Sequence, residues 1–116
     1  MRIHNIYADA NGDSHIRDVD IDWAASSGMG KTSNPVKVSS VAFRVTDGDY
    51  DLDWHNAPRR QYIVNLEGSV EILTSDGKSR VIGPGEIILA EDTTGKGHRS
   101  RAVAKGTRRS LVIPLI

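Results

Sequence analysis

The sequence predicts an all-β protein, on three observations. Eleven glycines and four prolines punctuate the chain, every few residues from Gly48 onward. The runs between them are short and rich in strand-forming residues. Helix signals, meaning apolar residues recurring three and four positions apart, are nearly absent.

Taken in order, residues 1–7 read as an edge strand. Residues 9–22 are polar and acidic, with Asp13, Asp18, Asp20 and Asp22, and residues 24–35 are small and polar, so an irregular N-terminal segment is expected. Residues 38–45 alternate loosely and carry Phe43, and residues 61–66, 70–74, 79–82, 86–90, 100–104 and 110–115 read as further strands. Asp76-Gly77 predicts a type I′ hairpin between the runs at 70–74 and 79–82, because its backbone readily takes positive φ. Gly68, after Leu66-Glu67, is assigned a similar turn. In Gly83-Pro84-Gly85 the proline fixes one φ and the glycines permit reversal. Short strands at near-regular spacing point to a sandwich or barrel. The length of 116 residues suits one domain, residues 1–116, with its core over residues 36–116.

Lys+Arg and Asp+Glu both count 15, so the formal net charge is zero and neither nucleic acid nor a membrane is expected as a partner. Arg99, Arg101, Lys105, Arg108 and Arg109 cluster near the C-terminus and read as a solvated exterior. With no cysteine, any metal must be held by His, carboxylate, amide or water. Met1-Arg2-Ile3-His4-Asn5 lacks the apolar run of a signal peptide, no segment is long and apolar enough to span a bilayer, and a cytoplasmic protein is the expectation. Gly28-Met29-Gly30-Lys31-Thr32 echoes a phosphate-binding loop, but Ala25 stands where the first glycine is required. No Gly-x-Ser-x-Gly elbow is present, which argues against a serine hydrolase.

The most informative stretch runs from Asp53 to His98. It contains Trp54-His55-Asn56-Ala57-Pro58-Arg59-Arg60-Gln61, then Leu66-Glu67-Gly68, Gly83-Pro84-Gly85-Glu86, and Glu91-Asp92-Thr93-Thr94-Gly95-Lys96-Gly97-His98. This order of parts resembles the cupin superfamily. The resemblance implies an antiparallel cupin-type jelly-roll barrel with a small-molecule site in its cavity, often metal-dependent. Against the first cupin motif, His55 holds one histidine position, Asn56 or Ala57 falls where the other would be, and Gln61 falls at the glutamate. His98 matches the histidine of the second motif, with a longer spacing from Gly85. The resemblance thus implies His55, Gln61 and His98 as ligands of one divalent ion (Fe, Mn, Ni or Zn). The metal-free alternative has the same three residues hydrogen-bonding one another or a ligand. A third reading packs His55 on Trp54.

Alternation along the strand puts Gln61, Ile63 and Asn65 on one face and Tyr62, Val64 and Leu66 on the other. The Glu91–His98 segment offers carboxylates, hydroxyls and glycines at a rim, where function concentrates. Ligand-binding candidates are therefore Gln61, Arg59, Asn65, Glu91 and Asp92. His55 and His98 are the catalytic candidates, since imidazole moves protons near neutral pH. The expected function is a small-molecule enzyme of cupin type, with isomerase, lyase and oxygenase chemistry unresolved. The alternative is a non-catalytic, metal-free module that binds a small ligand. A homodimer is expected, with residues 3–7 and 111–116 as candidates to pair across subunits.

Overall fold

The computed structural model describes residues 1–116. Its elements are twelve strands: β1 Arg2–Ala8, β2 Ser14–Asp20, β3 Trp23–Ser27, β4 Gly30–Ser33, β5 Ala42–Thr46, β6 Asp51–His55, β7 Gln61–Glu67, β8 Val70–Thr74, β9 Ser79–Ile82, β10 Ile87–Ala90, β11 His98–Ala102 and β12 Arg108–Pro114. One sheet has the order β2-β1-β10-β7-β12-β5, the second β6-β11-β8-β9, and β3 and β4 form a separate hairpin. No helix is long and apolar enough to cross a membrane.

The two large sheets bury their apolar faces in a common core. Ile6, Ile88 and Ala90 come from the six-stranded sheet, Val70, Ile72 and Ile82 from the four-stranded sheet, and Ala57 from the connection between them. Alternation is clean along β8, where Val70, Ile72 and Thr74 are buried and Glu71 and Leu73 are half-buried. The result is an open two-sheet sandwich of jelly-roll type. Of the expected jelly-roll barrel the two sheets form and the closure does not: β2 and β5 remain free edges of one sheet, β6 and β9 of the other. Nor is the pairing wholly antiparallel, because β1 runs parallel to β10, with Asn5 opposite Leu89.

The N-terminus departs most from expectation. Residues expected to be irregular form β2 and the β3–β4 hairpin, and β1 is an interior strand between β2 and β10. The core therefore starts at Ile3 and Ile6, well before residue 36. Aspartates disfavour strands, but β2 lies at an edge and Asp18 there meets Arg80 and Arg2. The segments nominated for subunit pairing are both inside the six-stranded sheet, since β12 lies between β7 and β5.

The Asp76-Gly77 turn joins β8 to β9 as expected, with a different geometry. Only Gly77 has positive φ, at 87°, and the Gly77 N–H donates to the Thr74 carbonyl at 3.1 Å. That is a type I turn followed by a left-handed glycine, a three-residue loop rather than type I′.

His15 on β2 ties this turn to the N-terminal strands. Its Nε2 lies 2.6 Å from Asp9 Oδ2 and its Nδ1 lies 3.1 Å from Asp76 Oδ2. The hydrogen bond to Asp9 first, and then Asp76, raises the His15 pKa against partial desolvation. The His15 hydrogen bond lowers that of Asp9. At Asp76 desolvation works upward, but the Thr74 hydroxyl, the Lys78 N–H and His15 outweigh it and leave the pKa lowered. A raised histidine stabilises fully below its unfolded pKa of about 6.5 and loses that contribution as pH rises through the folded value. Lowered aspartates stabilise above about 3.9 and lose it as pH falls through their folded values. The difference in unfolding midpoint between the wild type and His15→Ala is thus expected to peak between about pH 4 and 6.5 and to shrink on both sides. A pH-independent difference would refute the assignment.

Candidate functional site

β6 and β11 are neighbours in the four-stranded sheet, and their register sets His98 directly opposite His55. The imidazole centroids are 4.4 Å apart. A cavity of about 190 Å³ opens between the sheets at this point. His55, Gln61 and His98 all line it, against an apolar wall that includes Ile6, Ile63, Val70, Ile72 and Ile88. Gln61 and Ile63 share the inward face of β7, while Leu66 on the other face is exposed.

The segment from Glu91 to Gly97 holds the histidine pair from behind. The Ala57 N–H donates to the Asp92 carbonyl at 3.2 Å, and the Asn56 amide donates to the Asp92 and Gly95 carbonyls at 3.3 and 3.1 Å. On its other side the Ser14 hydroxyl donates to the Gly97 carbonyl at 2.6 Å. These contacts fix Asp92 with its side chain fully buried, its Oδ2 accepting from His98 Nδ1 at 2.5 Å. His98 thereby presents Nε2 as its unpartnered nitrogen. His55 does the same, because its Nδ1 donates to the Asp53 carbonyl at 2.7 Å. Asp92 Oδ1 is buried without a partner.

The other candidates sit elsewhere. Glu91 turns away from the cavity to Asn5 at 2.8 Å and Arg60 at 2.7 Å. Arg59 is exposed and is not part of the cavity wall. Asn65 is buried, but its amide closes the corner after β7 by donating to the Gly68 carbonyl at 2.7 Å. Elsewhere in the Glu91–Gly97 segment, Lys96 pairs with Asp13 at 2.8 Å, and Asp92 reaches the site through His98.

Several cavity residues were not among the candidates. Tyr50, whose hydroxyl lies 2.7 Å from the Ser100 hydroxyl, faces the cavity together with Ser100, Arg44 and Arg108. Arg108 was read as solvated exterior with its neighbours, yet it is only 6% exposed. Burial first, and then the like charge of Arg44, lowers its pKa, with Tyr50 opposing. Strand alternation is the signal that separates it from Arg109, which points outward to Glu67.

A divalent metal fits this site poorly. The two free Nε2 atoms and Gln61 are neutral donors, and no cluster of three His, Asp or Glu side chains is present. Ala57, at one of the two places where a second histidine would fall, presents only a methyl to the cavity. Asp92 does not line the cavity and Glu91 is held by Arg60, so neither offers there the anionic oxygen that hard and borderline cations favour. The Arg108 guanidinium adds positive charge to the same space.

No protein-family model and no curated protein matches the chain. Among solved structures it is similar to protein NMB1881 from Neisseria meningitidis, with 21% identity, a TM-score of 0.51, and 71% of this chain and 84% of that chain covered. It is also similar to an RmlC-like cupin protein from Desulfovibrio desulfuricans, with 14% identity, a TM-score of 0.45, and 99% and 84% covered. The first likeness is one of fold alone, and the second is looser still. What the chain shares with the first is the all-β, two-sheet fold.

Proposed function

We propose that the protein is a small-molecule enzyme of cupin type whose cavity carries out metal-free acid–base chemistry. The observation that carries this reading is the buried Asp92–His98 pair on the wall of an apolar cavity, with His55 beside it. Asp92 holds the His98 ring so that Nε2 is the nitrogen available for proton transfer. The apolar wall keeps competing water away, and Gln61 supplies an amide to orient a polar group of the substrate. This set suits proton abstraction and return, the step common to isomerases and lyases, which a positioned imidazole accelerates by about 10²–10⁴. At about 190 Å³ the cavity is smaller than the roughly 300–1,000 Å³ of drug-sized sites, which restricts the substrate to a small organic molecule. The second reading, a binding module without catalysis, uses the same residues as hydrogen-bonding groups only.

A fragment screen by NMR tests the site. Small organic fragments are expected to shift the His55 and His98 ring signals together. The His55→Ala/His98→Ala double variant should lose those shifts while keeping its β-sheet circular dichroism. Substituting His4, whose Nε2 lies 2.7 Å from Glu86, or His15 should leave fragment binding unchanged. Unaltered binding in the double variant, or shifts confined to other surfaces, would remove the cavity from consideration.

A further inference from the structure

Arg108 is the one strongly buried cation of the molecule, and nothing in the protein neutralises it. Six other arginines meet a carboxylate: Arg2, Arg60, Arg80, Arg99, Arg101 and Arg109. Arg108 has no such partner. Its Cζ lies 5.8 Å from the centre of the Tyr50 ring, which steers the guanidinium without cancelling its charge. Its charged neighbour across the β5–β12 pair is another cation, Arg44. Register sets Arg108 opposite Thr46 and Ser110 opposite Arg44, so the two arginines are diagonal neighbours on one face of the β5–β12 pair. Both line the cavity, Arg108 buried and Arg44 exposed. Taking a charge out of water costs several kcal/mol unless an opposite charge meets it. A planar guanidinium is complementary to an oxyanion, which it grips with two parallel hydrogen bonds.

We propose that the cavity takes a small organic acid with an apolar body, whose carboxylate is gripped by Arg108 with Arg44 at its flank. This rests on the reading of the cavity as a ligand site and names the class of ligand. Much of the cavity wall is aliphatic, from Ile6, Ile63, Val70, Ile72 and Ile88, which suits an apolar body and disfavours a polyhydroxylated one. Arg108 lies on β12 of one sheet, and His55 and His98 lie on β6 and β11 of the other. An acid anchored at Arg108 therefore lies between the two sheets and extends toward the imidazoles.

The probes are hexanoate, 1-hexanol and inorganic phosphate, with binding followed by NMR of the wild type and of Arg108→Met. Hexanoate is expected to bind the wild type at least tenfold more tightly than 1-hexanol, and phosphate should not displace it. Arg108→Met should lose at least tenfold in hexanoate affinity and keep its affinity for 1-hexanol. Without ligand, Arg108→Met should unfold at or above the wild-type midpoint, because an unneutralised charge has been removed. Arg44→Gln should weaken hexanoate less than Arg108→Met does. Equal affinity for alcohol and acid, full hexanoate binding by Arg108→Met, displacement by phosphate, or a destabilised Arg108→Met would each overturn the proposal. Binding of 1-hexanol without hexanoate overturns the acid alone, whereas binding of neither overturns the ligand cavity as well.

Discussion

Gly97→Ala is expected to destabilise the protein by about 4 kcal/mol or more, while Gly77→Ala costs only about 1–2 kcal/mol. Both glycines have positive φ, 72° and 87°, so both substitutions carry the same left-handed backbone penalty. They differ in what the new methyl group meets. At Gly77 there is open space, whereas at Gly97 a Cβ would lie 2.1 Å from the His55 carbonyl oxygen and 2.4 Å from its carbon. Backbone atoms cannot rotate aside as a side chain can. β6 must then part from the loop, and the separation falls on the strand that carries His55. Fragment binding at the histidine pair should therefore fall together with stability in Gly97→Ala and survive in Gly77→Ala. Urea unfolding of the two variants decides the matter, and equal losses would show that the contact with His55 is not rigid.

The parts of this fold legible in the sequence are those set by local physics. β8 and β9 match residue for residue, because a short loop with glycine at its left-handed position fixes both strands at once. The interior place of β1 and the existence of β2 were obscured for the opposite reason. β1 takes one neighbour from β10, more than 80 residues further on, and β2 carries aspartates that an edge position and Arg80 render tolerable. β6, which carries His55, becomes a strand by pairing with β11.

The site divides along the same line. His55, Gln61 and His98 could be named because their order along the chain resembles a known pattern of motifs, and all three line one cavity. Arg108 could not, because the last strand seemed to begin at Ser110 and five basic residues nearby looked alike. Two more residues of strand put Arg108 on the face of Ser110 and Arg109 on the other. Asp92 looked like a rim carboxylate. Its burial follows from Asn56 and Ala57, which grip its backbone from 35 or more positions away. Asn56 and Ala57 thus have a structural role of their own: they secure the loop that carries Asp92.

Asp92→Asn is expected to separate stability from function. The carboxyl is fully buried, yet only Oδ2 has a partner, and Oδ1 has none. An orphaned buried polar atom costs about 1–3 kcal/mol, so Asp92 is a poor choice if its only task is to hold the fold. Asparagine has the same shape and can still accept from His98 Nδ1 through its oxygen. Unfolding free energy should therefore change by less than about 1.5 kcal/mol, the net worth of one ordinary hydrogen bond. What asparagine lacks is the negative charge that favours the imidazolium formed during proton transfer. It can also turn its NH₂ toward His98 and select the wrong tautomer. Turnover of a substrate acid should fall by about 10²–10⁴ with little change in its affinity, because Asp92 does not line the cavity and Arg108 and Gln61 still do. Long-range ¹H–¹⁵N spectra give a readout that needs no substrate. In the wild type His98 should carry its proton on Nδ1, and in Asp92→Asn the Nδ1 and Nε2 signals should show a mixture of tautomers. A variant that keeps the single tautomer and full turnover would reduce Asp92 to a packing residue, and the acid–base reading would lose its positioning group.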